Sequence, residues 1–360
     1  MAGIYVYAIV PTGKTRSFGV GGLVGGIRPD ATDVDGEVYT VPYGDIAAVV
    51  SPSPLVDYQG LRRSEAVTYL VAHQRVVEAV MQEYSLLPVK FGTVLPDEKA
   101  IRRLLIQGET LFRTYLKEFA DVVQMEVVVL WDLKKVFQKI SESDFIAQSR
   151  VRLANCSEQE ATAEKIAVGR LVAAALEERR VTLRNRVLSS LREIARDVLV
   201  NPAMGDDMVA NVALLTEKDT ANDGQSRLST RLTLLDRELE GAYTFRQIGP
   251  LPPYSFATVA VQLLSFEEVD AARRCLGLGD TITTDETKKA YRALAGLLHP
   301  DHNPGDPEAE GRMSKLTQAY DLLTAYVKNH TSGKAPGPCI LSRKMIEQTL
   351  LIDIRKQEGL

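Results

Sequence analysis

The chain has 360 residues, of which 45% are hydrophobic and 25% are charged, a balance typical of a soluble protein with two or three globular domains. Its formal net charge of −4 and pI near 5.8 offer no long-range attraction to nucleic acid or to anionic membranes, which argues against both as partners. The sequence opens without a secretory signal, and no apolar stretch reaches the roughly 18 residues that span a bilayer. We therefore expect a soluble, cytoplasmic protein.

The first 140 residues alternate strands and helices. Residues 4–10 are aromatic and β-branched, which predicts a buried central strand. The other predicted elements are strands at 37–41 and 46–50, helices at 63–84 and 97–119, and a strand at 125–131 that closes the set. This mixture favours an α+β domain over residues 1–140, with helices covering one face of a mostly antiparallel sheet.

A glycine-rich stretch at residues 19–26 follows the first strand and invites comparison with a nucleotide-binding loop. The dinucleotide fingerprint requires glycine where Val24 stands, and the stretch leads through Pro29 to another strand instead of a helix. The sequence also has no phosphate-loop Gly-Lys-Ser/Thr. The stretch is predicted to be a flexible loop, and no cofactor is expected.

Residues 141–264 predict a second α+β domain built around a long helix. Ser157 and Glu160 form a capping box, and the helical pattern runs to about residue 200. The rest is predicted as strands at 209–215 and 242–246, a helix at 226–240 and a proline-rich extended arm at 249–256. Arginines of the long helix interleave with acidic residues, which favours a solvated, ion-paired face over a polyanion-binding surface.

His299-Pro300-Asp301 separates two segments of helical pattern. Thr283 and Glu286 form a capping box that begins the first helix, and Pro300 ends it at about Leu298. One side of this helix is basic, with Lys288, Lys289 and Arg292. The other side is predicted to be buried and carries Ala290, Tyr291, Leu294, Leu297 and Leu298.

A second helix is predicted from Asp306 as N-cap and Pro307 at the first helical position. Its apolar residues recur at helical spacing, at Met313, Leu316, Tyr320 and Leu323. The two helices are therefore expected to pair as an antiparallel hairpin, with the His-Pro-Asp tripeptide in the connecting loop.

A metal site at His299, Asp301 and His302 is the weaker interpretation of the same loop. Metal ions in proteins normally need three or four converging ligands, and the other histidines, His73 and His330, are distant in sequence. The three cysteines are Cys156, Cys275 and Cys339, whose wide spacing suits neither a zinc site nor a disulfide framework. No metal is expected.

Residues 269–330 resemble the J domain of DnaJ-type co-chaperones. The matching stretches are Leu-Gly-Leu at 276–278, the basic helix at 288–295, His-Pro-Asp-His-Asn-Pro at 299–304 and Ala-Tyr-Asp-Leu-Leu at 319–323. The resemblance implies an Hsp70 chaperone as partner, contacted by His299, Pro300, Asp301, Lys288, Lys289 and Arg292, and no catalysis of its own. His302 stands where the family usually has lysine, and residues 272–275 lack the usual aromatic pair, so an active contact and a hairpin kept only as a scaffold both stay open.

Residues 1–264 resemble the gas vesicle protein F and L family. The resemblance rests on residues 4–10, 46–51, 73–78 (which include His73), 87–93 and 249–256, although Leu251 replaces a common tryptophan. It implies an accessory protein of gas vesicle formation with two α+β domains, the first ferredoxin-like. The implied partners are the hydrophobic shell protein and other vesicle accessory proteins, and the implied location is the gas vesicle.

The predicted domains are residues 1–140, 141–264, a J-like domain at 265–330, and a linker with a carboxyl-terminal helix at 331–360. That last helix is predicted over 340–356 from the spacing of Ile346, Leu350 and Ile354.

The hypothesis that joins these parts is a non-enzymatic factor that binds the shell protein during nucleation, prevents its aggregation and recruits an Hsp70. The sequence shows no Ser/His/Asp or Cys/His set that would support catalysis. The alternatives are a general J-domain co-chaperone and a purely structural minor component of the vesicle.

Overall fold

The computed structural model of the protein describes residues 2–19, 37–54, 60–154, 158–218, 225–239, 243–302, 306–331 and 337–357. The glycine-rich stretch after Gly19, together with Cys156 and the cap residue Ser157, lies outside these residues. The chain divides into two compact units. The first takes its residues from Met1–Ala79, Val89–Thr114 and Val259–Arg355, and the second from Val80–Pro88, Tyr115–Thr258 and Lys356–Leu360.

The described strands and helices follow in chain order. The strands are β1 (Ala2–Val10), β2 (Ser17–Phe18), β3 (Val38–Tyr43), β4 (Ile46–Pro54), β5 (Leu87–Pro88), β6 (Val94–Leu95), β7 (Val122–Trp131), β8 (Asp197–Asn201), β9 (Met208–Glu217), β10 (Tyr243–Leu251), β11 (Thr258–Leu263), β12 (Thr281–Ile282), β13 (Cys339–Ile340) and β14 (Leu350–Arg355). The helices are α1 (Arg63–Met81), α2 (Glu98–Glu118), α3 (Leu133–Ser141), α4 (Asp144–Ala154), α5 (Glu158–Arg192), α6 (Gln225–Glu238), α7 (Phe266–Cys275), α8 (Thr284–Leu298) and α9 (Ala309–Thr331), with the short α10 (Arg343–Gln348) last.

The sheet of the first unit is centred on β1. This strand pairs antiparallel with β4 and with β6, while β3 joins β4 to β2. Residues 5–10 are no more than 1% exposed, which confirms the predicted central strand. Helix α2 buries one face completely, through Ile101, Leu104, Leu105 and Phe112 at helical spacing.

The sheet of the second unit has the antiparallel order β10-β7-β9-β8. Residues of α5 and α6 complete its core, where Val127, Trp131, Val187 and Leu228 are buried. The prediction that β7 closes the set of the first domain was wrong, because β7 is a central strand of this second sheet. Its partners β9 and β10 lie far away in sequence, so local pattern carried no sign of the pairing.

Two boundaries in the second unit also differ from the prediction. Helix α5 ends at Arg192, and residues 197–201 form the edge strand β8 instead of continuing the helix. The proline-rich stretch is extended only through Leu251, where β10 ends. The chain then turns, and the Pro253 carbonyl accepts the backbone N–H groups of Phe256 (3.0 Å) and Ala257 (2.8 Å).

The carboxyl-terminal part of the first unit contains α7, α8 and α9. We call α8, the His299-Pro300-Asp301 turn and α9 the J-like hairpin. The predicted α+β class with a carboxyl-terminal helical hairpin is confirmed.

The helix predicted over residues 340–356 was wrong. Only Arg343–Gln348 is helical, and Leu350–Arg355 is a strand paired with β11. Ile346, Leu350 and Ile354 are four residues apart, a spacing that fits a helix but also places Leu350 and Ile354 on one face of a strand. The β-branched Ile352 and Ile354 favour the strand.

Candidate functional site

Helix α8 begins at a reciprocal cap. The Thr283 hydroxyl accepts the backbone N–H of Glu286 (3.2 Å), and the Glu286 carboxylate accepts the Thr283 N–H (3.0 Å). The predicted capping box is confirmed. Asp285 and Glu286 also place negative charge at the positive end of the helix dipole. These interactions fix the residue at which the helix begins.

The helix ends at Leu298, as Pro300 predicted. His299 is extended (φ −59°, ψ 134°), and Pro300–His302 form one turn of 3-10 helix. The Asp301 backbone N–H donates to His299 Nδ1 (3.2 Å), and the His302 N–H donates to the His299 carbonyl (3.0 Å). His299 therefore closes the turn with both its ring and its carbonyl.

The Nδ1 atom of His299 faces two groups that require opposite protonation states. Accepting the Asp301 N–H requires a lone pair on Nδ1, whereas donating to the Asp301 carboxylate, 3.5 Å from the same atom, requires a proton there. The His299 side chain is 46% exposed and that of Asp301 is 85% exposed, so a partner can reach both.

The basic face of α8 is confirmed. Lys288, Lys289 and Arg292 are exposed, and within the described ranges no ion pair engages them. Leu297, predicted on the buried side, is instead 70% exposed, because it lies at the edge of the apolar arc and not at its centre. The face that leads to the His-Pro-Asp turn therefore presents three unpaired cations and one apolar side chain.

The two helices of the J-like hairpin are joined by a pair of tyrosines. The rings of Tyr291 on α8 and Tyr320 on α9 stack with centroids 4.3 Å apart, and the Tyr291 hydroxyl lies 3.3 Å from Thr317 Oγ1. Leu316 and Leu323, predicted from helical spacing, are at most 1% exposed. These contacts pack α8 and α9 against each other within a hydrophobic cluster that α7 and residues 339–346 complete.

Helix α9 begins at Ala309, two residues later than Asp306 and Pro307 predicted. Asp306 instead forms a turn before the helix, in which its carboxylate accepts the Glu308 N–H (2.9 Å) and pairs with Arg312. The Glu308 hydrogen bond and the Arg312 guanidinium hold the pKa of the Asp306 carboxyl below its usual value.

The leading helix α7 carries two signals that sequence analysis missed. Ser265 and Glu268 form a capping box of the same Ser/Thr-x-x-Glu type as the one on α8. Leu-Gly-Leu at 276–278, one of the stretches that carry the J-domain resemblance, follows this helix as a terminating motif. The Gly277 N–H donates to Arg274 O and the Leu278 N–H to Arg273 O, both at 3.0 Å, with Gly277 at φ +65°. This is a Schellman ending, in which glycine is the residue that tolerates the left-handed backbone.

His73, part of the motif at residues 73–78, is a buried structural residue. Its Nδ1 lies 3.0 Å from the Tyr5 hydroxyl, which also accepts the Gly92 N–H (2.9 Å), and its ring stacks on Tyr7. The hydroxyl has one proton and two lone pairs, so it can exchange hydrogen bonds with both neighbours at once. Burial lowers the pKa of His73 to about 4. Three of the stretches that carry the amino-terminal resemblance thus meet in one cluster.

The predicted ion pairing of the α5 arginines is confirmed for two of them. Arg180 pairs with Glu177 (2.9 Å) and lies over the Trp131 ring, and Arg186 pairs with Glu238 of α6 (3.4 Å). At these two arginines a nearby carboxylate offsets the positive charge.

The described residues were compared with what a metal site and a membrane-spanning helix require. Across the residues that the structure describes, no three His, Cys, Asp or Glu side chains converge as a metal site would require, and the His299 and His302 rings are 6.0 Å apart. None of the described helices combines the length and hydrophobicity needed to cross a bilayer.

Comparison with known proteins divides the chain in two. The family described as gas vesicle synthesis protein GvpL/GvpF matches residues 3–258, and the DnaJ domain matches residues 274–330. Gas vesicle protein F of Streptomyces sp. is 29% identical over 213 residues, which cover 59% of this chain and 84% of the relative. Chaperone protein DnaJ of Chlamydia trachomatis is 54% identical over 48 residues, but these cover only 13% of this chain and 12% of the DnaJ protein.

Solved structures show the same fold for the first part. The crystal structure of GvpF from Anabaena sp. PCC7120 has a TM-score of 0.57 at 21% identity and covers 71% of this chain and 98% of that one. The GvpF structure from Microcystis aeruginosa has a TM-score of 0.50 at 21% identity, with 70% and 98% covered. The chain therefore belongs to the GvpL/GvpF family of gas vesicle synthesis proteins and carries a DnaJ domain after the family's own fold.

Proposed function

We propose that this protein is a non-enzymatic assembly factor of the gas vesicle. In this proposal its α+β units bind the hydrophobic shell protein during nucleation and prevent its aggregation, while the J-like hairpin recruits an Hsp70. The observation that carries the proposal is the presence, in one chain, of a GvpL/GvpF match and a hairpin that keeps its His-Pro-Asp turn beside an unpaired basic face.

A physical argument connects the two activities. A shell that excludes liquid water while admitting gas is built from subunits with an apolar face, and that face is an aggregation hazard before assembly. A protein that holds such a subunit and brings an ATP-driven chaperone to it raises the local chaperone concentration at the site of assembly. The proposed location is accordingly the cytoplasm and the surface of the growing vesicle.

The geometry of the hairpin supports the Hsp70 contact. Lys288, Lys289 and Arg292 point from one side of α8 without intramolecular ion pairs among the described residues, so their charges are available to an acidic partner. The exposed Asp301 and the His299 ring lie at the end of the same helix. An interface of this kind steers association by charge and weakens as ionic strength rises.

The Hsp70 contact is tested by ATPase stimulation. The full chain is expected to stimulate hydrolysis by a bacterial Hsp70, and His299→Gln is expected to abolish the effect, because the glutamine side chain cannot reproduce the ring that closes the turn. Arg246→Gln, on an exposed position of β10 in the second unit, is the control and should stimulate like the parent. Equal rates with and without the parent chain reject the contact.

The shell-protein contact is tested separately by light scattering. Purified shell protein diluted from denaturant is expected to aggregate more slowly in the presence of the full chain, with or without the His299→Gln change. Equal suppression of aggregation of unrelated proteins favours a general co-chaperone. Normal vesicle formation in cells that carry only His299→Gln favours a structural component that does not use the hairpin.

A further inference from the structure

Two side-chain amides from distant parts of the first unit form hydrogen bonds with Leu350, the first residue of the carboxyl-terminal strand β14. Gln107 on α2 accepts the Leu350 N–H (3.0 Å) and donates to the Gln348 carbonyl (3.1 Å). Asn329 on α9 donates to the Leu350 carbonyl (2.6 Å). Both backbone groups of Leu350 are therefore satisfied by side chains, one from the GvpL/GvpF fold and one from the J-like hairpin.

The segment before Leu350 belongs to the core of the J-like hairpin. Ile346 on α10 is fully buried in the same hydrophobic cluster as Leu316 and Leu323. The Tyr326 hydroxyl donates to the Ile340 carbonyl (3.2 Å), and β13 pairs with β12 at the start of α8. The hydrophobic core of the hairpin thus includes residues beyond 330, where the DnaJ match stops.

The segment after Leu350 attaches to the amino-terminal part of the first unit, the sheet around β1 with α1 and α2, which we call the amino-terminal fold. Strand β14 pairs with β11, and β11 is itself bound to the loop that follows β5, through Lys90 N–H to Val259 O (2.8 Å) and a parallel bridge between Val89 and Val259. Two hydrogen-bonded routes therefore lead from the hairpin to the amino-terminal fold, one through Gln107 and one through β11.

We propose that Gln107 and Asn329 are positioning residues. Their hydrogen bonds hold residues 343–355 in place, and this segment fixes the orientation of the J-like hairpin relative to the amino-terminal fold. For the functional consequence the inference rests on the proposed function. A chaperone bound at His299 would then approach the shell protein from one direction. A flexibly linked hairpin would instead present the chaperone in many orientations.

The orientation is measured directly by the distance between two spin labels. Thr110→Cys on α2 and Ser314→Cys on α9 place labels at exposed positions of the full chain, after Cys156→Ser, Cys275→Ser and Cys339→Ala remove the native thiols. Double electron–electron resonance is expected to give one narrow distribution of label-to-label distances for this parent protein. The double change Gln107→Ala and Asn329→Ala is expected to broaden it several-fold, and Gln318→Ala, on the exposed side of α9, leaves it narrow.

Further variants separate positioning from general folding. Gln107→Glu keeps the acceptor for Leu350 but replaces the donor to Gln348 with a charged acceptor oxygen, so its distribution is expected to lie between those of the parent and the double variant. If circular dichroism shows the double variant to be unfolded, the two single alanine variants take its place. A narrow, unchanged distribution in the folded alanine variants overturns the inference, as does a broad one in the parent.

Assays of Hsp70 ATPase stimulation and of shell-protein aggregation then test the functional consequence. The double variant is expected to stimulate Hsp70 ATPase like the parent, because its turn is intact, and to lose much of the Hsp70-dependent and ATP-dependent protection of shell protein. Full protection by the double variant overturns the functional consequence. A parent chain that does not stimulate Hsp70 at all contradicts the proposed function instead and leaves the distance measurement standing.

Discussion

Tyr291 stacks on Tyr320 at a centroid distance of 4.3 Å, and this contact joins the two helices whose ends hold the His-Pro-Asp turn. The pair connects the partly buried apolar face of α8 with that of α9, so the position of the turn depends on it.

Tyr291→Ala is therefore expected to destabilise the hairpin by roughly 2–3 kcal/mol, through lost burial and the lost ring pair. Hydrogen exchange of α8 and α9 amides measures the change locally, which matters because the chain has two compact units. Tyr291→Phe keeps the ring and removes only the hydroxyl near Thr317, and we expect it to cost about 1 kcal/mol or less. Equal exchange in the alanine variant and the parent contradicts the prediction.

Charge removal on the basic face is expected to weaken Hsp70 binding without loss of stability. Lys288→Ala, Lys289→Ala and Arg292→Ala each remove an exposed cation, and each is expected to change the free energy of unfolding by no more than about 0.5 kcal/mol. Binding titrations from low to high salt should show a shallower salt dependence for the triple variant than for the parent. Lys165→Ala, which removes an exposed cation on α5, is the control matched in charge to each single change. Parallel salt dependences would show that this face does not contact the chaperone.

Acid is expected to destabilise the amino-terminal fold through His73. Its pKa is lowered by burial to about 4 in the folded protein, whereas the unfolded chain binds the proton near pH 6.5. The unfolded state therefore binds more protons between these values, so stability is complete above about pH 6.5 and is lost as pH falls toward 4, by up to about 3 kcal/mol. Urea unfolding of the parent and of His73→Gln at pH 7.5 and 5 measures this, because the variant lacks the titrating ring. An identical pH dependence in both contradicts the assignment.

Three glycines of the J-like region are expected to respond differently to alanine. Gly277 has φ +65°, so Gly277→Ala is expected to cost roughly 1–2 kcal/mol although nothing lies within 4 Å of the added methyl group. Gly296 lies inside α8 with open space beside it, so Gly296→Ala is expected to stabilise the helix by about 1 kcal/mol. Gly279→Ala, at a position with open space and no left-handed backbone, is the control. Denaturation curves that rank the three variants otherwise refute this account.

The elements that sequence analysis predicted well are those with local signals. The Thr283-Glu286 cap, the stop at Pro300 and the buried strand at residues 5–10 each follow from residues within a few positions of one another. The same reasoning located the basic face of α8 and the two resemblances, because side-chain type and spacing carry both.

The elements that it missed depend on distant partners. Strand β7 joins the second sheet because β9 and β10 pair with it, and residues 350–355 are a strand because β11 is available. Leu297 shows a finer limit, since a residue at the edge of an apolar arc is buried only if a neighbouring element covers it, and the helical wheel does not contain that neighbour. The hydrogen bonds from Gln107 and Asn329 to Leu350 had no sequence signal, because each of these residues is an ordinary polar residue on a helix surface.

Gln107 and Leu350 are 243 residues apart, which has a consequence for synthesis on the ribosome. The residues of the sheet around β1 and of the His-Pro-Asp turn are translated before Leu350. A polypeptide released before that residue would carry the turn without the hydrogen bonds from Gln107 and Asn329 to Leu350. Under the orientation proposed above, only translation through Leu350 lets the hairpin acquire its fixed position.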